Sequence, residues 1–208
     1  AQITHPDKVL FPDDGSLNQA LPVYYLGVAP RMLPFIRGPP VNLQRFPDGI
    51  DATGFFQQAM PEYFPDWIRG VELAKQGGSV RHAIIGDAAA LVYVANQNVI
   101  TPHAWLSRAD RPDHPDTLIF DVDPPSGATA GVRDVAIALR EVLDELGLVS
   151  FVKTTGSRGY HVTVALDRSQ PFDEVREFAR GVAEVVVERR PDLVTMEARK
   201  QSRRGRIF

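Results

Sequence analysis

The stretch that most constrains the chain is Thr117 to Pro125, TLIFDVDPP. Leu118, Ile119 and Phe120 form a short apolar run of high β-propensity, and Pro124 and Pro125 stop it. It therefore reads as a buried strand ending in an exposed turn. Asp121 and Asp123 lie at the mouth of that strand. Strand side chains alternate with a period of two, so both carboxylates point to one face, about 7 Å apart along the backbone. Such a pair either forms a solvated turn or shares divalent cations, the usual apparatus for moving a phosphoryl or nucleotidyl group.

Composition narrows the field without deciding it. The 208 residues are 44% hydrophobic and 24% charged, which suits one globular domain or two packed lobes. With no cysteine, disulfides and thiolate metal sites are excluded, and oxygen ligands or histidine remain for any ion. A cytoplasmic setting fits, and no apolar run has the length of a membrane span. The net charge of −3 disfavours nonspecific coating of nucleic acid but permits a local basic groove.

Other segments fall around this stretch. Val9 to Phe11 reads as an edge strand, with His5 and Lys8 beside it as either an anion site or two solvated side chains. Tyr24, Tyr25, Val28, Met32 and Phe35 recur at helical spacing over 21–37, where Pro30 and Pro34 are expected to kink or shorten the helix. A strand is expected over 41–46. Phe55 and Phe56 follow in a loop-like setting, as core residues or as a stacking platform for bases. Strand 80–85, a helix capped by Asp87, and an extended stretch over 99–106 containing His103 come next.

After the Asp-x-Asp turn, Val132, Val135, Ala136, Leu139, Val142, Leu143 and Leu146 outline an amphipathic helix ended by Gly147. Strands over 149–154 and 160–166 then form a hairpin about Gly156–Gly159, and a second amphipathic helix spans 173–190 with Val175, Phe178, Val182, Val185 and Val186 inward. The turn combines two glycines with Ser157 and Arg158, and His161 stands on the departing strand. That is either an ordinary hairpin or an anion-binding nest. Five arginines and lysines between Arg199 and Arg206 can hold phosphates or form a solvated tail, and Ile207 and Phe208 look like the start of another strand. A carboxylate pair, a crossover helix and a glycine hairpin with histidine together suggest metal and triphosphate sites on one sheet.

HPDKVLFP, QRFPDG, GFF, PHAWLSR, FDVDPP, TTGSRGYHV and RRGRIF, in this order over essentially the whole chain, resemble the primase-polymerase superfamily. The nearest resemblance is to the polymerase domain attached to bacterial ATP-dependent DNA ligase D, used in non-homologous end joining. The resemblance implies a single α+β primase-polymerase domain over 1–208, with a central, mainly antiparallel sheet and flanking helices. It also implies two divalent cations, Mn²⁺ or Mg²⁺, on Asp121 and Asp123, with His161 in the catalytic centre. Ser157, Arg158, His161, His103 and Arg203 would contact or lie near the incoming nucleotide. Phe55 and Phe56 would stack at the template, and His5 with Lys8 would face a downstream 5′-phosphate.

The implied activity is template-directed nucleotidyl transfer that fills gaps or processes ends of broken DNA. NTP and dNTP, ribonucleotides included, would be substrates. Gapped or broken DNA with 5′-phosphorylated ends, a ligase and end-binding proteins would be partners, in the bacterial cytoplasm at the nucleoid. Two departures stand out: Asn18 occupies a place where the family has a lysine, and Phe208 falls about two residues short of an expected third metal-binding aspartate, so the domain is expected to continue. The rival readings are a two-metal phosphoesterase and a DNA-end-binding module without catalysis.

Overall fold

The computed structural model describes residues 2–125, 131–156 and 158–208. They divide into two units, one up to Pro112 and one from Asp113 onward. Among the described residues no helix is long and apolar enough to cross a membrane.

The first unit opens with a two-stranded ribbon, β1 (Val9–Phe11) and β2 (Ser16–Leu17), followed by helix α1 (Ala20–Ile36). The buried stripe of α1 is Leu21, Tyr25, Ala29, Leu33 and Ile36. Tyr25 and its neighbours Val28 and Met32 meet the core as expected, but Tyr24 and Phe35 do not, and Phe35 is 82% exposed. Pro30 and Pro34 neither shorten nor end the helix. Both prolines lie on the exposed side, so the carbonyls of Leu26 and Pro30 that lose an N–H partner can turn to solvent.

The sheet of this unit is antiparallel throughout. Strand β3 (Pro40–Arg45) pairs at its start with β6 (Gly78–Ile84) and near its end with β4 (Phe55–Gln57); β7 (Val99–Ala104) runs along its other edge, and β5 (Gly70–Lys75) extends β6. Phe55 and Phe56 thus belong to a short strand rather than a loop. Val41 and Leu43 of β3 face a core shared with α1 and with α2 (Ala88–Asn96). Asp87 caps α2, its carboxylate accepting from the Ala90 N–H at 2.8 Å.

The second unit holds β8 (Thr117–Val122), α3 (Val132–Glu145), β9 (Ser150–Thr154), β10 (Tyr160–Ala165) and α4 (Phe172–Arg189). Its strands lie in the order β8-β10-β9, both pairings antiparallel. Leu118, Phe120 and Val122 of β8 and Val162 and Val164 of β10 are buried against α3 and α4. Leu146 and Phe178, expected inward, are half-exposed; Leu146 is the residue that ends α3, one position past its last helical residue. Ile207 and Phe208 do resume extended pairing, Ile207 bridging Val194 and Phe208 exchanging two backbone hydrogen bonds with Asp123. The α+β, antiparallel character expected from the sequence holds, with the strands shared between two units.

Asn18 is a structural residue in this fold. It is 2% exposed, donates from Nδ2 to the Thr4 carbonyl at 2.8 Å and accepts from Asn98 Nδ2 at 2.8 Å. Asn98 is held in left-handed backbone, with φ 60°. Asn18→Ala leaves both partners unsatisfied in a buried position. It is expected to cost about 1–3 kcal/mol, seen as a fall of several degrees in the thermal midpoint; an unchanged midpoint would contradict this role.

Candidate functional site

The centre of interest is the face of the second unit's sheet that turns away from its helices. Because Leu118, Phe120 and Val122 face α3 and α4, the alternate residues Ile119 and Asp121 must face the other way. His161 of β10 is directly opposite Asp121, so the imidazole and the carboxylate project to the same side. Their Nε2 and Oδ1 atoms are 3.4 Å apart. His161 Nδ1 is buried and has no hydrogen-bond partner.

Asp123 stands just past the end of β8, its backbone N–H and carbonyl both taken by Phe208, at 2.8 and 3.0 Å. The hairpin from β9 to β10 closes on it. Gly159 comes so near that a Cβ there would lie 2.6 Å from the Val122 carbonyl and 3.3 Å from Asp123 Oδ1. Only glycine permits this approach. Gly156 has φ 80°, and Thr155 clasps the turn: its backbone N–H and hydroxyl donate to the Gly159 carbonyl, and its hydroxyl accepts from the Gly159 N–H. The Gly159 N–H is thereby spent on the turn itself. Arg158 is exposed at the tip. Ser157 lies outside the described residues.

Arg203 is tethered. Its guanidinium donates to the Glu197 and Ala198 carbonyls and stacks on the Phe208 ring with 4.0 Å to the centroid. Since Phe208 is paired to Asp123, these contacts tie the basic terminal segment to the acidic strand end. The Asp121 carboxyl is raised above its ordinary range by burial, and next by the like charge of Asp123, with His161 opposing. Among the described residues no group of three or more His, Cys, Asp or Glu side chains is placed to hold a metal ion. The donor set is two carboxylates whose mutual repulsion a cation would relieve, which fits a hard cation completing its shell with phosphate or water oxygens.

The remaining expected residues lie in the first unit. Phe56 is 60% exposed, with its ring centroid 5.0 Å from that of His103. His103 also makes a 3.0 Å contact with Gln44 Oε1, and burial lowers its pKa. Phe55 is 47% exposed, under the Arg45 guanidinium at 5.6 Å. Both phenylalanines are therefore surface rings, available for stacking, and not core residues. At the N-terminal ribbon, His5 adopts φ 48°, and Lys8 Nζ donates to the Pro47 carbonyl and to Asp48 Oδ1, the latter at 3.1 Å. Gln44 and Asp48 fall within QRFPDG, but the motif assigned neither a role, since both act as partners of a basic residue distant in sequence.

The raised carboxyl carries a stability consequence. A folded-state pKa above the unfolded one means that the folded state binds the proton more tightly, a stabilisation present at low pH and lost as pH rises through the raised value. At neutral pH the ionised Asp121 is therefore unfavourable in the metal-free protein. Asp121→Asn is expected to raise the thermal midpoint in chelator at pH 7 by roughly 1–2 °C, a small gain because the side chain is more than half exposed. The gain should vanish once the pH falls below the ordinary carboxylate range. A lower midpoint at pH 7 would overturn this electrostatic reading.

A family model described as LigD, primase-polymerase domain, matches residues 19–208. The multifunctional non-homologous end joining DNA repair protein LigD of Mycobacterium tuberculosis is 33% identical over 215 residues, covering 99% of this chain and 28% of the relative. The corresponding protein of Pseudomonas aeruginosa is 29% identical, over 100% of this chain and 25% of its own. The bifunctional LigD of Bacillus subtilis is 26% identical, over 100% of this chain and 33% of its own. The chain thus spans between a quarter and a third of these curated relatives. The solved polymerase domain from Mycobacterium tuberculosis ligase D in complex with DNA superposes with a TM-score of 0.94 at 32% identity, covering 100% of this chain and 76% of that one. From its strand-end aspartates to its glycine-closed hairpin, this chain belongs to the LigD primase-polymerase domain family of nucleotidyltransferases.

Proposed function

We propose that this chain performs template-directed nucleotidyl transfer onto a primer 3′-hydroxyl, filling gaps at broken DNA during end joining. The observation that carries the reading is the direct pairing of His161 with Asp121 on the sheet face away from α3 and α4, with Asp123 and the Gly159 turn beside them. Asp121 and Asp123 would hold two divalent cations, Mn²⁺ or Mg²⁺. Those cations, when bound, lower the pKa of the attacking hydroxyl and offset charge on the triphosphate.

The protein's own residues do the positioning. His161, held against Asp121 by Nε2, orients its ring over the space where the triphosphate lies. Arg158, exposed at the tip of the glycine turn, draws the phosphates to the strand end, and Ser157, its neighbour in sequence, would add a hydroxyl. Little covalent chemistry is asked of these side chains, so the rate depends on placement and fixed charge. In the first unit, Phe55 and Phe56 offer their open rings to template bases. His103, whose pKa is lowered by partial desolvation and which is anchored by Gln44, would serve the nucleotide as a hydrogen-bonding imidazole, and ribonucleotides and deoxynucleotides would both be accepted. Gapped DNA with a 5′-phosphorylated end, a ligase and end-binding proteins would be its partners at the bacterial nucleoid.

Primer extension on gapped, 5′-phosphorylated DNA with Mn²⁺ tests the reading. The wild-type chain should lengthen the primer, and Asp121→Asn or Asp123→Asn should each reduce the rate by about 10²-fold or more. Extension that survives both substitutions would contradict the assignment. DNA binding without extension would favour the end-binding alternative, and release of inorganic phosphate from DNA ends the phosphoesterase. Recognition of a 5′-phosphate by the first unit is expected to be restrained, because Asp48 neutralises Lys8 and Asn18 supplies no charge. Asp48→Asn should therefore increase the preference for 5′-phosphorylated over 5′-hydroxyl gapped DNA by up to about fivefold, as read by equilibrium binding at low salt. An unchanged or smaller preference would show that Lys8 does not meet that phosphate.

A further inference from the structure

We propose that Lys153 is a specificity-determining residue of this site, gripping the terminal phosphate of the incoming nucleoside triphosphate. The inference rests on the nucleotidyl-transfer reading above. It comes from register rather than from any motif. His161 in the central strand β10 is directly opposite Asp121 on one side and directly opposite Lys153 of β9 on the other. Directly opposed residues share a face, so carboxylate, imidazole and ammonium form one straight row across the side of the sheet that turns away from α3 and α4.

The order of charge along that row matches a metal-bound triphosphate. Adjacent strands lie about 4.8 Å apart, so the row spans roughly 10 Å from the Asp121 backbone to that of Lys153. Three linked phosphate groups laid from the acidic edge over His161 end at the basic edge. The flexible four-carbon stem of lysine can adjust to the last of them. The neighbouring row on the same face, Ile119, Thr163 and Phe151, carries no charge.

Lys153 is also uncommitted, unlike Arg203 and Lys8. It is exposed, and it forms no hydrogen bond or ion pair among the described residues. By contrast, Arg203 is bound to two carbonyls and a ring, and Lys8 to Asp48. An unpaired ammonium on a sheet face two strands from a carboxylate pair is suited to a mobile anion rather than to the fold.

Titration of the full chain with ATP, ADP and AMP in the presence of Mn²⁺ tests the proposal. Lys153→Gln should weaken ATP binding by about tenfold or more and leave AMP binding unchanged, and Lys153→Arg should stay close to wild type for both. In primer extension the same Gln variant should raise KM for the nucleotide while kcat persists. Wild-type affinity for ATP in Lys153→Gln would overturn the proposal, as would an equal loss for ATP and AMP, which marks a structural effect. A wild-type chain that binds none of the three would overturn the nucleotide reading itself, and this proposal with it.

Discussion

The pairing of β8 with β10 is the constraint on which the rest of the second unit depends. Six successive cross-strand pairs run from Thr117–Ala165 to Val122–Tyr160 without a bulge. A slip of one residue would send His161 to the helix side and bring Val162 to the open side, exposing apolar surface and burying a polar ring. Burial of Leu118, Phe120, Val122, Val162 and Val164 against α3 and α4 opposes that slip. The hydrophobic core therefore sets the chemistry: it decides which residues of the two strands remain outside. Gly159 completes the arrangement, since any side chain there would push the turn off the Val122 carbonyl.

Much of this was legible in the sequence because the relevant signals are local. FDVDPP marks a strand and its end through β-propensity and proline, and GSRGYH marks a turn and a departing strand through glycine spacing. Two strands joined to a strand already in place by an amphipathic helix leave few topologies. What escaped was anything decided by the neighbour of a neighbour. Lys153 carries no motif, and its place becomes visible only when β9 is set beside β10 in register. Pro30 and Pro34 misled for a related reason: their cost depends on whether the freed carbonyls meet solvent or core, and both prolines lie on the solvent side. For Phe55 and Phe56 local sequence left core and stacking platform both open, and their edge strand leaves the rings outside the core.

Asn18 and Lys8, beside the N-terminal ribbon, point the same way. Asn18, in a place associated with a lysine, is engaged in holding Thr4 and Asn98, and Lys8 is engaged with Asp48. At the ribbon, fold stability and anion binding compete for the same polar groups, and structure has taken a larger share than in a pocket built from two free lysines. On the sheet face of the second unit that turns away from α3 and α4 the balance is reversed. Asp121 is kept in an unfavourable electrostatic setting by burial and then by Asp123, and among the described residues His161 Nδ1 and Lys153 have no partner. Such concentrations of unrelieved polar groups on one surface mark binding chemistry rather than support for the fold.

The most direct test is a crystal structure of the chain with Mn²⁺ and a non-hydrolysable nucleoside triphosphate, read by anomalous scattering at the manganese edge. Manganese between the Asp121 and Asp123 carboxylates, with the triphosphate laid across β10 past His161, is the expected result. Manganese bound elsewhere, or a triphosphate that leaves the open face of β8 and β10 empty, would contradict the arrangement on which the proposed chemistry stands.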